Sequence, residues 1–358
     1  MEKTIYKRAV MDEIVRYLHT DDIIVLHGAR QVGKTSIMIY LQRQLIAQGE
    51  DVVAVDHYPP GEGGAPARHR YLDGLRMKAF VDRDDLHVWL ANAGSALRGV
   101  IHLGACSDTT VTDREYVMRV NYEYTRAVWN FCARERVPLV YASSAATYGD
   151  GSKGWDDEGD PYTLEPLNLY GESKHRFDLW ALEQPLEKQP PRWAGVKYFN
   201  VYGPNEDHKS DMRSVVHKAY GQILDTGRVQ LFKSHRPDFK DGEQMRDFLY
   251  VKDAIRMTLH LADTPTASGL FNLGSGKAHT WLQLVNAIFA SLAKQPQIDY
   301  IDMPEHLQSK YQYYTCADIA KLRESGYDTE ITPLADAVRD YVVNYLVPGK
   351  HLGDEQPC

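Results

Sequence analysis

The chain has 358 residues, a formal net charge of −8, 43% hydrophobic and 25% charged residues; that balance suits a water-soluble globular protein of one large or two ordinary domains. The acidic excess argues against a general nucleic-acid or membrane-surface binder, and no apolar run approaches the roughly 18–20 residues of a membrane helix. Four cysteines (Cys106, Cys132, Cys316, Cys358) without framework or metal-ligand spacing, and an opening MEKTIYKRAVMDE without a signal-peptide core, fit reduced thiols in a cytoplasm. The fourteen histidines are scattered, and no pair has the spacing of a metal site.

In chain order, residues 1–22 read as an extra helix, with Ile5, Val10, Ile14, Val15 and Leu18 on one stripe. Asp22-Ile-Ile-Val-Leu-His27 reads as a buried strand and Ser36–Gln48 as a helix. Between them lies Gly28-Ala-Arg-Gln-Val-Gly33-Lys34-Thr35. Strand, G-x-x-x-x-G-K-T and helix form the context of a phosphate-binding P-loop, in which backbone amides cradle phosphates and Lys34 reaches the terminal ones. On a dinucleotide-binding glycine pattern, Gly28 and Gly33 fit, but Arg30 falls where a middle glycine lets the backbone approach a pyrophosphate. Either loop puts phosphate at a helix N-terminus, so a nicotinamide dinucleotide and ATP or GTP both stay open. The segment to Asp56 resembles the opening of a P-loop ATPase. With no later acidic strand and sensor residues, ATP turnover is not expected.

Asp51–Asp56 is the predicted second strand. Asp56 stands about twenty residues past the loop, where a ribose-binding acid or an ordinary strand-end acid would stand. His57–His69 reads as a Pro/Gly loop. Val100–Ser107 reads as the next strand, with Gly104 and Ala105 small enough for close backbone approach to a ligand, and Asn121 opens an amphipathic helix, NYEYTRAVWNFC.

The stretch Val140–Lys174 organises the rest. Val137-Pro-Leu-Val-Tyr-Ala-Ser suits a buried parallel strand, with Ser143 and Ser144 at the carboxyl end, where open α/β sheets hold ligands. Tyr170 and Lys174 are four apart at the start of a predicted helix and share one face. A tyrosine hydroxyl titrates near about 10. A neighbouring ammonium favours the phenolate, and a serine hydroxyl can hold an oxygen whose proton is leaving. Beyond it, Ala194–Asn200 reads as a strand, Asn205–Val215 as a polar loop entering a helix, Arg246–Asp253 as a strand with a basic head, Phe271–Gly276 as a strand and turn, and Lys310–Thr315 as a basic-aromatic cluster. Alternating strands and helices predict an α/β fold: a Rossmann-like doubly wound parallel sheet over 23–175, a smaller C-terminal α/β substrate lobe over 176–346 that returns strands to the sheet, and a tail over 347–358.

HLGACSDTT, YASSAATYG, LNLYGESK, YFNVYGPNEDHK, RDFLYV, FNLGSG and KYQYYTCAD occur in this order between about Val100 and Tyr345. Through them the chain resembles the extended short-chain dehydrogenases/reductases that act on nucleotide sugars, and among these the ADP-heptose 6-epimerase family of lipopolysaccharide core synthesis. The resemblance implies catalytic Ser144, Tyr170, Lys174 and Lys209, with Tyr170 and Lys209 as two acid/bases and Lys174 on the cofactor ribose. It implies a cofactor site of Gly28, Gly33, Lys34, Asp56, Gly104, Ala105, Asn121, Tyr170 and Lys174 for NADP, or for NAD, which the Asp56 charge suits. Ser107, Asn200, Lys209, Arg246, Lys310 and Tyr311 fall on the sugar-nucleotide side. A homo-oligomer, a pentamer, is implied as well. Lys197 departs from the family's usual arginine. Ala145-Ala146 after Ser144 disfavours the dehydratase branch, which carries an Asp-Glu pair there. A nucleotide binder without redox activity is the reading from another class, favoured by Arg30 and Lys34 and opposed by the Ser144/Tyr170/Lys174/Lys209 set.

Overall fold

A computed structural model describes residues 23–27, 45, 51–56, 78–93, 97–308 and 311–351. The proposed N-terminal helix, the G-x-x-x-x-G-K-T loop, nearly all of the helix after it and the 57–69 loop lie outside the described residues. The main sheet is built from β1 (Ile23–His27), β2 (Asp51–Asp56), β3 (Ala79–Asp82), β4 (Leu97–His102), β5 (Leu139–Ser144), β6 (Trp193–Tyr198) and β10 (Gly269–Leu273). Their order is β10-β6-β5-β4-β1-β2-β3, and every pair is parallel. This is a Rossmann-like doubly wound sheet. Order reverses between β1 and β4, and the crevice beyond their carboxyl ends is the topological switch point where such sheets bind ligands.

The apolar runs explain the sheet. β2 is buried from Val52 to Asp56 and β5 from Leu139 to Ser143, as expected of strands covered on both faces. On one face Trp129, Tyr141, Phe177 and Trp193 form an aromatic stack, with Trp129 edge-on to Trp193 at 5.0 Å between centroids. On the other, Val140, Val196 and Phe271 share a core with Leu249 of a later strand and with Leu284 and Val338 from the C-terminal helices. β6 ends at Tyr198, so the single strand expected over Ala194–Asn200 is interrupted at Phe199. The chain then enters β7 (Asn200–Tyr202), which pairs with β9 (Met245–Tyr250), itself paired with β11 (Ala278–Thr280). β8 (Val229–Phe232) and β12 (Ile298–Ile301) form a separate parallel pair.

Three further local expectations are corrected. β4 begins at Leu97 and stops at His102, because Cys106 has its backbone N–H and C=O bonded to the Asn121 amide (2.7 and 2.8 Å) instead of to a strand. Asn121 opens no helix: Asp113 caps one at Arg114, accepting from the Tyr116 N–H at 3.0 Å, and Asn121 sits inside a π-helical turn, Arg119–Glu123, that runs on into Tyr124–Arg134. Such π turns mark places where a helix gives up ideal bonding for a functional placement. The strand expected to reach Asp253 ends at Tyr250, and Asp253 lies in the first turn of the helix Val251–Asp263, where a negative charge meets the positive end of the helix dipole. β3 and the helix Leu86–Ala93 were not anticipated.

Candidate active site

β5 delivers two serines to opposite faces. Ser143 is buried and donates to Asp178 Oδ2 at 2.6 Å. Ser144 faces the carboxyl-end crevice and caps the 3-10 turn Ala145–Tyr148, its Oγ accepting from the Ala146 N–H at 3.2 Å. The helix Leu169–Leu182 starts at a cap by Asn168, which accepts from the Gly171 N–H at 2.8 Å. A Cβ at Gly171 would lie 2.8 Å from the Ala146 carbonyl oxygen, so glycine there lets the helix rest on the turn after Ser144. That close approach brings the Ser144 side chain near enough to the Tyr170 hydroxyl to favour its phenolate form. One turn on, Lys174 is buried and donates from Nζ to the Ala142 carbonyl at 2.7 Å.

The expectation that Lys174 pulls the Tyr170 phenol down is not met. Burial pushes Tyr170 up to about 12, with the Ser144 hydrogen bond pulling the other way. Burial lowers Lys174 to about 8, with Asp178 opposing. The ammonium is turned toward a carbonyl, and desolvation outweighs attraction for both groups.

Behind them lies a polar cluster that sequence reasoning missed. Asp178 is fully buried and accepts from Ser143 and from Tyr141 Oη (3.1 Å), while Lys197 Nζ stands 3.8 Å away. Lys197 lies over the Tyr148 ring at 4.4 Å. The i, i+4 spacing of Lys174 and Asp178 was the available signal.

On the cofactor side, Asp56 ends β2 opposite Asp82 and is 9% exposed. Gly104 and Ala105 are buried in the loop beyond β4. Asn121 spends its amide on Cys106 and on Ser173 Oγ (2.8 Å), so it acts on this crevice by fixing the loop and the Tyr170 helix to each other. Gly28, Gly33 and Lys34 lie outside the described residues. A buried strand-end acid at β2, a small-residue loop at β4, and Lys174 across the switch point fit a dinucleotide.

On the other side, Lys209 lies in a 3-10 turn, Asp207–Met212, buried with its Nζ 3.3 Å from Glu206 Oε2. Burial lowers its pKa, and Glu206 opposes that. Gly203 (φ 146°) and Asn205 (φ 70°) bend the chain so that Glu206 turns inward. Asn200 is exposed at the start of β7 opposite Phe248, so it shares a sheet face with Arg246, two residues along. Arg246 is 6% exposed, donates from Nη1 to the Met245 carbonyl (2.8 Å), and lies 5.0 Å from the Tyr311 centroid and 5.7 Å from that of Trp281. Trp281 Nε1 donates to Tyr311 Oη at 2.8 Å. Burial lowers the Arg246 pKa, so an anion beside it would be strongly attracted. Ser107 is buried at the crevice loop, and Lys310 lies outside the described residues. Among the described residues no cluster could hold a metal, and no helix is long and apolar enough to cross a membrane.

A doubly wound parallel sheet, with a serine, a tyrosine and a lysine gathered at its carboxyl end, defines the class: a Rossmann-type α/β enzyme. The profile of the NAD dependent epimerase/dehydratase family matches residues 29–274; the chain belongs to that family and is an isomerase, an epimerase. It is 42% identical to ADP-L-glycero-D-manno-heptose-6-epimerase of Fusobacterium nucleatum over 336 residues, covering 90% of this chain and 98% of the relative. It is 44% identical to the enzyme of that name in Nitratidesulfovibrio vulgaris over 328 residues, covering 90% and 97%. In fold it is similar to the Helicobacter pylori ADP-L-glycero-D-manno-heptose-6-epimerase (TM-score 0.73, 24% identity, covering 93% of this chain and 97% of that one). A UDP-N-acetylglucosamine 4-epimerase from Methanobrevibacter ruminantium is similar as well (TM-score 0.74, 21% identity, 92% and 100%).

Proposed function

We propose that this chain inverts C6 of ADP-D-glycero-D-manno-heptose to give the L-glycero epimer, using a tightly held nicotinamide cofactor, for lipopolysaccharide core synthesis in the cytoplasm. The observation that carries the reading is a pair of separately housed proton carriers, Tyr170 on Ser144 and Lys209 on Glu206. A simple dehydrogenase needs one acid/base; an inversion removes a proton on one side and returns it on the other. The named relatives, nearly co-extensive with this chain, point to the heptose.

Tyr170 takes the proton from the C6 hydroxyl while Ser144 holds that oxygen. After the sugar turns, Lys209 returns a proton to the oxygen on the opposite side. Lys174 and Asp56 hold ribose hydroxyls, and Gly104, Ala105 and Ser107 line the approach. Arg246, flanked by Tyr311 and Trp281, takes the diphosphate, with Asn200 beside it on the same face. When bound, a nicotinamide would supply hydride acceptance and return at C6, and its positive charge would favour the Tyr170 phenolate. Asp56 suits NAD, whereas the family resemblance suggests NADP; a homo-oligomer, a pentamer, belongs to the same reading.

The test is to denature the purified protein, identify the released nucleotide by mass spectrometry, and assay conversion of the D-glycero substrate by chromatography. NADP or NAD together with turnover is expected. ATP or GTP, or no nucleotide and no turnover on adding NADP, would overturn the proposal.

A further inference from the structure

Lys209 is a buried lysine whose charge desolvation disfavours, and the carboxylate that opposes this is held by residues far apart in sequence. Glu206, itself 2% exposed, receives the Lys209 ammonium on Oε2, which also accepts from the Ser214 N–H at 2.9 Å. Its Oε1 accepts from Ser214 Oγ (2.6 Å), Tyr341 Oη (3.1 Å) and the Gly203 N–H (3.5 Å). Ser214 caps the helix Val215–Thr226, and Tyr341 ends the helix Leu334–Tyr341. One carboxylate therefore ties the Lys209 turn to two helices.

We propose that Glu206 is the positioning residue of the second proton carrier: it holds the Lys209 ammonium charged and fixed, while Ser214 and Tyr341 keep the carboxylate ionised once the proton has gone. The inference rests on the role proposed above for Lys209. When Lys209 Nζ gives its proton to the substrate alkoxide, the lysine becomes a neutral amine and the carboxylate is left as a buried anion. Four neutral donors then remain on it, and hydrogen bonds to the charged form keep such a group ionised. Without them Glu206 would compete with the alkoxide for that proton.

Among the described side chains, Asp207 and Arg213 carry the other charges at this turn. Asp207 raises Lys209 through space, and it is engaged by His217 Nε2 (3.1 Å) and His351 Nδ1 (3.4 Å). Tyr341 is pushed far up by burial and by Glu206, so it stays a neutral donor.

The experiment compares kcat against pH for the full-length Glu206→Gln and Tyr341→Phe variants with ADP-D-glycero-D-manno-heptose. Glu206→Gln removes the charge that holds the proton on Lys209; kcat falls about tenfold or more with KM little changed, and the basic limb moves down by about one pH unit. Tyr341→Phe removes one donor, so the carboxylate grips the ammonium more firmly and the basic limb moves up. Opposite shifts are the signature, because a merely structural loss would move both variants alike or neither. Unshifted limbs, or shifts in the same direction, overturn the proposal; should Glu206→Gln fail to fold, the direction of the Tyr341→Phe shift decides. Lys209→Met separates the two claims. Undiminished epimerisation there removes the assigned role of Lys209 itself, whereas an inactive Lys209→Met beside an unshifted Glu206→Gln removes only the role of Glu206.

Discussion

Lys174 and Lys209 are buried to nearly the same extent, 2% and 3% exposed, yet their surroundings differ in kind. Lys174 sits on the main sheet and donates to a backbone carbonyl, with Asp178 one turn further along its helix. Lys209 sits on an irregular turn and holds a carboxylate directly at 3.3 Å. Desolvation lowers both pKa values; Asp178 opposes this at Lys174 from further off, and Glu206 opposes it at Lys209 in direct contact. The difference matches the chemistry proposed for them: Lys174 binds and stays put, whereas Lys209 gains and loses a proton.

The sharpest break in that comparison comes from the proton carriers. Tyr170→Phe keeps the ring and removes the proposed acid/base, so kcat should fall by about 10²–10⁴ while the melting temperature stays near wild type. An active Tyr170→Phe would move the first proton transfer elsewhere. Next in size is the buried pair behind the site. Asp178→Asn removes the carboxylate 3.8 Å from Lys197 and leaves only the weaker pull of Asp157, and urea unfolding should show a loss of about 3–5 kcal/mol, typical when one partner of a buried pair is removed. A loss well under 1 kcal/mol would mean that Lys197 is already neutral in the fold.

A smaller effect concerns pH. His175 lies in the Tyr170 helix, and burial, with Lys197 adding to it, depresses its pKa to about 4. Its folded value lies below the ordinary 6.5. The stability linked to its neutral form is therefore complete above pH 6.5 and is lost as pH falls toward 4. His175→Gln should flatten the stability curve in that window, and an unchanged slope would assign it to other groups. Smallest is Lys197→Arg, which restores the residue the resemblance suggests at this strand. A guanidinium reaches further toward Asp178 than the ammonium 3.8 Å away, so a slight rise in melting temperature with unchanged kcat is expected.

Much of the sheet and the Ser144/Tyr170/Lys174 face could be read from sequence because each is a local pattern: an apolar run ending in serine, and an i, i+4 pair. Asn121 misled because the apolar period of NYEYTRAVWNFC starts there, while the helix itself starts at the Asp113 cap. β3 is only four residues long, too short for a periodic signal. Arg246 carried a charge signal, but Trp281 and Tyr311 come to it from 35 and 65 positions further along. Glu206 was three residues from Lys209 and could have been paired with it on that spacing. Tyr341, at a sequence separation of 135 from Glu206, could not.

The central claim, that hydride leaves C6 and returns to C6, is tested most directly with substrate deuterated at C6 and turned over in ordinary water. The account predicts inverted product that keeps the deuterium, since the hydride never mixes with solvent. Inverted product that has lost its label would show proton exchange at carbon and would contradict the account.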